Sequence, residues 1–427
     1  MSGETRKKML ITPERALRII LSHVRPLKAH AAALEEALGC FLAQDVRSDR
    51  DQPPADRSAM DGYAVIAADL RAAPARLRLI GEVAAGSGGS FRVRRGSCAA
   101  ILTGGNVPPG ADAVVPLEQT DRDGEEVVFH VSPAPGVHIR RRGEEALRGQ
   151  VLLPRGARLG PAEIGVCAMA GKTRLKVHSR PKVAVLSTGG EVRDVGEPVA
   201  AHQLRDSNGP TLLAALAAEG LRDTARWIAP DDPKLIAARL KASLRTYRVA
   251  IVTGGVSVGR YDYVPEAVRR IGGRIRFHGV KMKPGRPQLY ATLPGNRHVF
   301  ALPGNPVSVL TGFHEMVLPA LRRLCGAREN ACRPALKLAL AAPIRSKGNR
   351  AYFALARIAP TEKGLLAMPV RSAGSADIVA ACEADGVILV PEGIQELPAG
   401  SMIEFHPWTI ALYGNPFPPA RSRCGSR

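Results

Sequence analysis

The chain has 427 residues, 45% hydrophobic and 23% charged, a globular composition long enough for roughly two to four domains with more than one core. No run approaches the roughly 18 consecutive apolar residues of a membrane span, and the opening MSGETRKKML has no apolar signal-peptide core. Sixty Lys and Arg against 39 Asp and Glu give a formal charge of +21. Such a surface attracts anions such as nucleic acid, acidic lipid or phosphorylated small molecules, and it is also what a solvated Arg-rich surface looks like. No recognition helix, zinc-finger spacing or RNA-binding signature accompanies it. With 9 Phe, 7 Tyr and 2 Trp, stacking platforms are few. Neither a nucleic-acid nor a membrane partner is expected.

The seven cysteines (Cys40, Cys98, Cys167, Cys325, Cys332, Cys382 and Cys424) are odd in number and form no CxxC pair. They read as reduced thiols of a cytoplasmic protein, not as a zinc site or disulfide framework.

In chain order, residues 13–43 read as helical. Pro13 stands near an N1 position, Ala16, Ile19, Ile20 and Val24 recur at helical spacing, and a second helical run over Ala31–Ala43 ends around Gly39. From about 46 to 145, short alternating strands (Leu77–Val83, Ala99–Leu102, Glu126–Val131) separated by Gly, Pro and Asp predict a β-rich insert domain. Residues 146–178 carry a strand signal and then a short helix, Ala162–Ala170, and rejoin 1–45 as one unit. Over 179–328, apolar strands (Val183–Leu186, a strand ending at Ile228, Val249–Val252, Arg274–Val280, Leu289–Leu293, Val299–Leu302) alternate with helices. The first helix opens at Asp206-Ser207-Asn208, the second at Asp231-Asp232-Pro233, the third spans Val264–Ile271 and the last opens at Pro306. This pattern predicts a mostly parallel sheet covered on both faces. Residues 329–415 return to strand-and-turn texture, a small C-terminal β domain, and 416–427 form a basic tail. The fold class is therefore multidomain α/β.

Ligands of open α/β sheets bind at the carboxyl ends of the strands. Two Gly-rich loops stand there: Ser187-Thr188-Gly189-Gly190-Glu191 and Thr253-Gly254-Gly255-Val256-Ser257-Val258-Gly259. Their backbone N–H groups can approach an anion closely, although each is also what a tight strand-to-helix turn requires. Neither is a Walker A loop or a GxGxxG fingerprint. Glu191, Asp231 and Asp262 fall on the same edge. Asp231 and Asp262 are also good helix caps, but three acids beside anion-binding loops suit Mg²⁺, which takes one or two carboxylates plus ligand phosphates. Lys281, Lys283 and Arg286 are presented by a Pro- and Gly-fixed loop. The turn Pro303-Gly304-Asn305-Pro306 ends a strand and aims helix N-terminal amides outward. In the N-terminal half, the loop Asp56–Ala64 mixes Asp, Arg and Ser without helical or strand periodicity, which marks a site candidate.

The ordered set SAMDGYAV, TGG…PPGADAVVP, RRRGEE, VAVLSTGGE, DSN, DD, TGGVSVGRYDYV, KMKPGRP and LPGNPVS resembles the MoeA/gephyrin E-domain family, the molybdopterin molybdenumtransferases, over about residues 12–410. The α/β segment by itself would also fit MogA-like adenylyltransferases or the CinA group; SAMDGYAV and the four-part organisation favour MoeA. The resemblance implies a MogA-like central sandwich and a cytoplasmic homodimer with its site at the subunit interface. It implies adenylylated molybdopterin and molybdate as substrates, Mg²⁺ as cofactor, and release of AMP. Metal binding and catalysis are carried onto Glu191, Asp231 and Asp262. Asp61, Thr103 and Glu145 fall on a wall supplied by the second subunit. Ser187, Thr188, Gly189, Gly254, Gly255, Ser257, Gly259, Lys281, Lys283, Arg286, Pro303, Gly304, Asn305 and Pro306 fall on the pterin and phosphate side. The sequence departs from the family's pattern at Gly190 and Arg260, where acids are common, and at Gly279, where a cation is usual and Lys281 is a possible stand-in. Pro53-Pro54-Ala55-Asp56 and Arg350-Ala351-Tyr352-Phe353-Ala354-Leu355 keep their family patterns in part. The leading expectation is an enzyme that inserts molybdenum into adenylylated molybdopterin; these departures are the features that speak for the alternative, a non-catalytic molybdopterin or molybdenum-cofactor binding or carrier paralogue.

Overall fold

The computed structural model describes residues 10–84, 86, 91–256, 263–362 and 364–408. Ser257, Gly259, Arg260 and Asp262 lie outside the described residues, as does the basic tail. The heart of the molecule is a six-stranded sheet in the order Thr224–Ala229, Val183–Thr188, Val249–Thr253, Arg297–Leu302, Leu289–Leu293, Arg274–His278. The first four strands run parallel, and Leu289–Leu293 runs antiparallel to both its neighbours, Arg297–Leu302 and Arg274–His278. Val183–Thr188 and Val249–Thr253 are buried at every residue, because alternate side chains enter different cores. Val183, Val185, Val249 and Ile251 pack with Leu212 and Leu216 on one face. Ala184, Leu186, Ala250 and Val252 pack with Ile236, Leu240 and Val268 on the other. The mostly parallel, doubly covered sheet read from the apolar runs is what forms.

The helix Pro13–His23 starts at Thr12, whose hydroxyl accepts from the Arg15 amide at 3.3 Å. It buries Ala16 and Ile20, with Val24 just beyond its end, in the same core as Val183 and Leu321. The helix expected over Ala31–Ala43 does not form. Ala29–Ala33 is a strand paired antiparallel with Arg174–His178, followed by a 3-10 turn at Leu34–Glu36. Alanine favours a helix locally, and Leu34, Leu38, Phe41 and Leu42 recur at helical spacing, but the ladder with a partner far along the chain decides the outcome. Leu42, Val46, Leu159, Cys167, Leu175 and Val177 close a small core around it.

The insert is a six-stranded sheet in the order Ala113–Pro116, Gly62–Val65, Ser97–Ile101, Ala75–Val83, Glu126–Phe129, Thr120–Asp123. At the C-terminal end, Ala351–Thr361 pairs with both Gly364–Pro369 and Gly386–Val390. The ring closes through Leu336–Leu340 and Met402–Pro407, so this β domain is a barrel that leaves few free edges. The short strand Met282–Lys283 pairs with Ala351–Tyr352 and ties the basic loop to the barrel. Among the described residues no helix is long and apolar enough to cross a membrane.

Candidate functional site

The four parallel strands end together, and their exits line a cleft of about 760 Å³ that includes Ser187, Thr188, Gly189, Glu191, Asp231, Gly254, Gly255, Pro303, Gly304, Asn305 and Pro306. Both hydroxyls of the first loop are engaged. Ser187 Oγ lies 2.9 Å from each carboxylate oxygen of Asp206, and Thr188 Oγ1 donates to the Thr253 carbonyl at 3.1 Å. What the two loops offer a ligand is therefore backbone N–H, and only in part, since Gly189 N donates to the Ala229 carbonyl at 3.4 Å, Gly254 N to the Leu302 carbonyl at 3.1 Å and Gly190 N to Asp231. Gly254 must be glycine: φ is +84°, and a Cβ there would lie 2.4 Å from the Thr188 carbonyl oxygen. Gly190 is the opposite case, with open space where its Cβ would be.

The helix after Ala229 separates two neighbouring acids. Asp232, not Asp231, is the cap, accepting from the Lys234 and Leu235 amides at 2.6 and 3.0 Å. Asp231 is left for the cleft, where its carboxylate accepts from Gly190 N at 3.3 Å. Asp206 stands just before the helix that the sequence opens at Asp206-Ser207-Asn208. It does accept from Gly209 N at 2.9 Å, and it also takes Ser187 and Arg226 Nη1 at 2.9 Å, which fixes the cleft floor from beneath. Among the described residues no three His, Cys, Asp or Glu side chains form a metal cluster. Glu191 and Asp231 are the two carboxylates available beside the loop amides.

The turn Pro303–Pro306 separates this cleft from a second, about 470 Å³, lined by Lys283, Arg286, Arg350, Tyr352, Ser372 and Ser375. Pro303 and Asn305 line both. Lys283 Nζ lies 5.0 Å above the Tyr352 ring, a cation–π contact that holds the ammonium in place. Lys281 is elsewhere, in an ion pair with Glu392. The amide of Val307 does not face outward as the Pro306 turn suggested; it donates to the Ser375 carbonyl at 3.0 Å. The sequence reading missed Arg205 and Asn208 in the first cleft and Ser375 in the second. Arg205 carries no local signal, whereas Ser372-Ala373-Gly374-Ser375 is readable as a loop.

The insert residues stand apart. Asp61 accepts from Thr103 N at 2.6 Å and Thr103 Oγ1 at 2.7 Å; the amide bond first, then the hydroxyl, holds its carboxyl below the usual range. Glu145 pairs with Arg140. The arginine cluster is no free basic patch, since Arg141 meets Asp56 at 2.6 Å and Arg142 meets Asp51 at 2.7 Å. None of the described residues 46–145 lines either cleft, so within one chain Asp61, Thr103 and Glu145 do not join the acids at the sheet edge.

Three family models match in series: the MoeA N-terminal region (domains I and II) over residues 11–171, the probable molybdopterin binding domain over 184–323, and the MoeA C-terminal region (domain IV) over 337–408. A molybdopterin molybdenumtransferase of Staphylococcus aureus is 31% identical over 93% of this chain and 96% of its own length; one of Staphylococcus epidermidis is 32% identical over 95% and 96%. A solved molybdopterin biosynthesis MoeA protein from Pyrococcus horikosii superposes with a TM-score of 0.73 at 30% identity, covering 94% of this chain and all of that one. A second structure, from Pyrococcus horikoshii OT3, reaches 0.79 at 28% identity, over 93% of this chain. With the amide-lined cleft, the basic loop and the four-part architecture in one chain, the protein belongs to the MoeA family of molybdopterin molybdenumtransferases.

Proposed function

We propose that the protein inserts molybdenum from molybdate into adenylylated molybdopterin, with release of AMP. The observation that carries this reading is the pair of clefts meeting at the Pro303–Pro306 turn. On one side are loop amides, Glu191, Asp231 and Arg205; on the other are Lys283, Arg286, Arg350 and the serines. The first suits a phosphoanhydride and the second a tetrahedral oxyanion, so the two reactants would be held on either side of one turn. Holding both in a fixed relation removes much of the entropic barrier to their reaction. Lys283 and Arg350 place positive charge where negative charge must be gathered, and the loop amides do the same for the phosphates.

Glu191 and Asp231 fit Mg²⁺, which needs only one or two carboxylates when phosphates supply the rest; Asp262 is proposed as a third. Bound there, the metal would neutralise charge on the departing phosphate. Asp61, Thr103 and Glu145 complete the cleft only if a second subunit supplies them, so the working unit is a homodimer. The buried, unpaired Cys40, Cys98, Cys167, Cys325 and Cys332 suit a reducing cytoplasm.

The test is to incubate the purified protein with adenylylated molybdopterin, Mg²⁺ and molybdate, and to measure AMP and active cofactor together. AMP release that requires both Mg²⁺ and molybdate is expected. Tight pterin-nucleotide binding without turnover would replace this reading with the carrier one, for which the missing acid at Gly190 is the supporting feature.

A further inference from the structure

Ser372 and Ser375 both line the cationic cleft, yet their hydroxyls are committed differently. Ser372 Oγ lies 3.2 Å from the Gly374 carbonyl and 3.4 Å from Asp377, so its proton is spent inside its own loop. Ser375 Oγ instead accepts from Asn305 Nδ2 at 2.7 Å. A hydroxyl has one proton and two lone pairs. Among the described residues nothing accepts the Ser375 proton. The Ser375 backbone is also pinned, its carbonyl accepting from Val307 N at 3.0 Å, and Asp377 accepts from Ala373 N at 2.8 Å. The loop is thus held from both ends while one O–H is left to face the cleft.

We propose that Asn305 is a positioning residue for oxyanion capture: by donating to Ser375 it commits the Ser375 proton to the anion in the cationic cleft. This rests on the reading that the cleft takes molybdate. The amide's polarity is the important property. An aspartate of the same shape at 305 would accept the Ser375 proton and turn it away from the cleft, and it would add a negative charge beside the anion.

The experiment is equilibrium dialysis of molybdate against wild type, Ser375→Ala, Asn305→Ala, the double variant, and Asn305→Asp. A hydrogen bond to a charged partner is worth about one to two powers of ten in affinity. Ser375→Ala should weaken molybdate binding about tenfold or more and Asn305→Ala about three- to tenfold. The double variant should match Ser375→Ala within about twofold, because Asn305 acts through the serine. Asn305→Asp should be weaker than Asn305→Ala. If the two single effects multiply, or Asn305→Ala binds like wild type while Ser375→Ala does not, the coupling is wrong and the cleft assignment stands. If Ser375→Ala binds molybdate like wild type, both fall.

Discussion

Replacing Gly254 by alanine tests whether the cleft depends on how closely its two Gly-rich loops approach. At φ +84° an L-residue sits in the left-handed region, which costs about 1–2 kcal/mol. The added Cβ also lands 2.4 Å from the Thr188 carbonyl oxygen and 2.9 Å from Thr188 Oγ1, well inside the distance real Cβ atoms keep. One of the two strand ends must retreat by roughly half an ångström or more. Thr188 ends the strand Val183–Thr188, buried at every residue and bonded on both sides, so it cannot shift freely, and the combined cost should be about 2–4 kcal/mol. Whatever movement occurs displaces the Gly189–Glu191 loop, and a misplacement approaching 1 Å can cost about a hundredfold in rate. Thermal unfolding and Mg²⁺-dependent AMP release should therefore fall together in Gly254→Ala. Gly190→Ala is the control: its Cβ would meet open space, and both properties should stay near wild type. A Gly254→Ala protein of undiminished stability and turnover would show that the loop contact does not set the site.

Asp231→Asn should keep the fold, since Asp232 is the cap, and lower Mg²⁺-dependent turnover by about a hundredfold, the order of one lost electrostatic stabiliser; Asp232→Ala should do the reverse, lowering the melting temperature and sparing turnover. His406 is raised to about 9: burial opposes its charge, but Glu315, with Glu404, outweighs that. Its contribution, of order 3 kcal/mol, is fully present below about pH 6.5 and is lost as pH rises through about 9; denaturant titrations across that window should show the decline, and Glu315→Gln should flatten it. If the proposed homodimer shares its clefts, mixing inactive Asp61→Asn with inactive Asp231→Asn protein under subunit exchange should restore about a quarter of wild-type activity, because half the dimers would be mixed and each would have one intact cleft. No recovery despite verified exchange would place both residues in one subunit's site.

The parallel sheet was legible because burial on both faces leaves its mark as apolar runs, and Val183–Thr188 and Val249–Thr253 show it without needing their neighbours. Ala29–Ala33 was not legible, because its partner Arg174–His178 lies some 140 residues on and alanine itself says helix. At the site, the carboxyl-end rule placed Glu191 and Asp231 on the right edge. It could not say which of two adjacent aspartates caps the helix, because either satisfies the same pattern; the backbone turn after Ala229 decides for Asp232. Lys281 and Lys283 look equivalent in Lys281-Met282-Lys283. They part company because Glu392, over a hundred residues later, pairs with the first, while Tyr352 lies under the second.

The same distinction explains why the contact between Asn305, which the sequence does mark, and Ser375, which it does not, escapes a sequence reading. Each stands in a loop whose composition is informative, but their meeting depends on how the barrel docks against the sheet edge. That docking is fixed by features remote from the cleft. Met282–Lys283 extends the ladder of Ala351–Thr361. On another side, buried Glu315, in the π turn Phe313–Val317 of the sheet domain, lies 2.9 Å from His406 of the barrel and 3.1 Å from Arg333. Losing one member of that cluster would strand a buried charge, so it resists separation of the two domains. The Pro303–Pro306 turn is then gripped between them, by Asn208 Nδ2 on the Gly304 carbonyl at 2.7 Å and by Asn305 on Ser375 at 2.7 Å. A wall shared by two clefts has to be held from both, and in this chain an asparagine faces each.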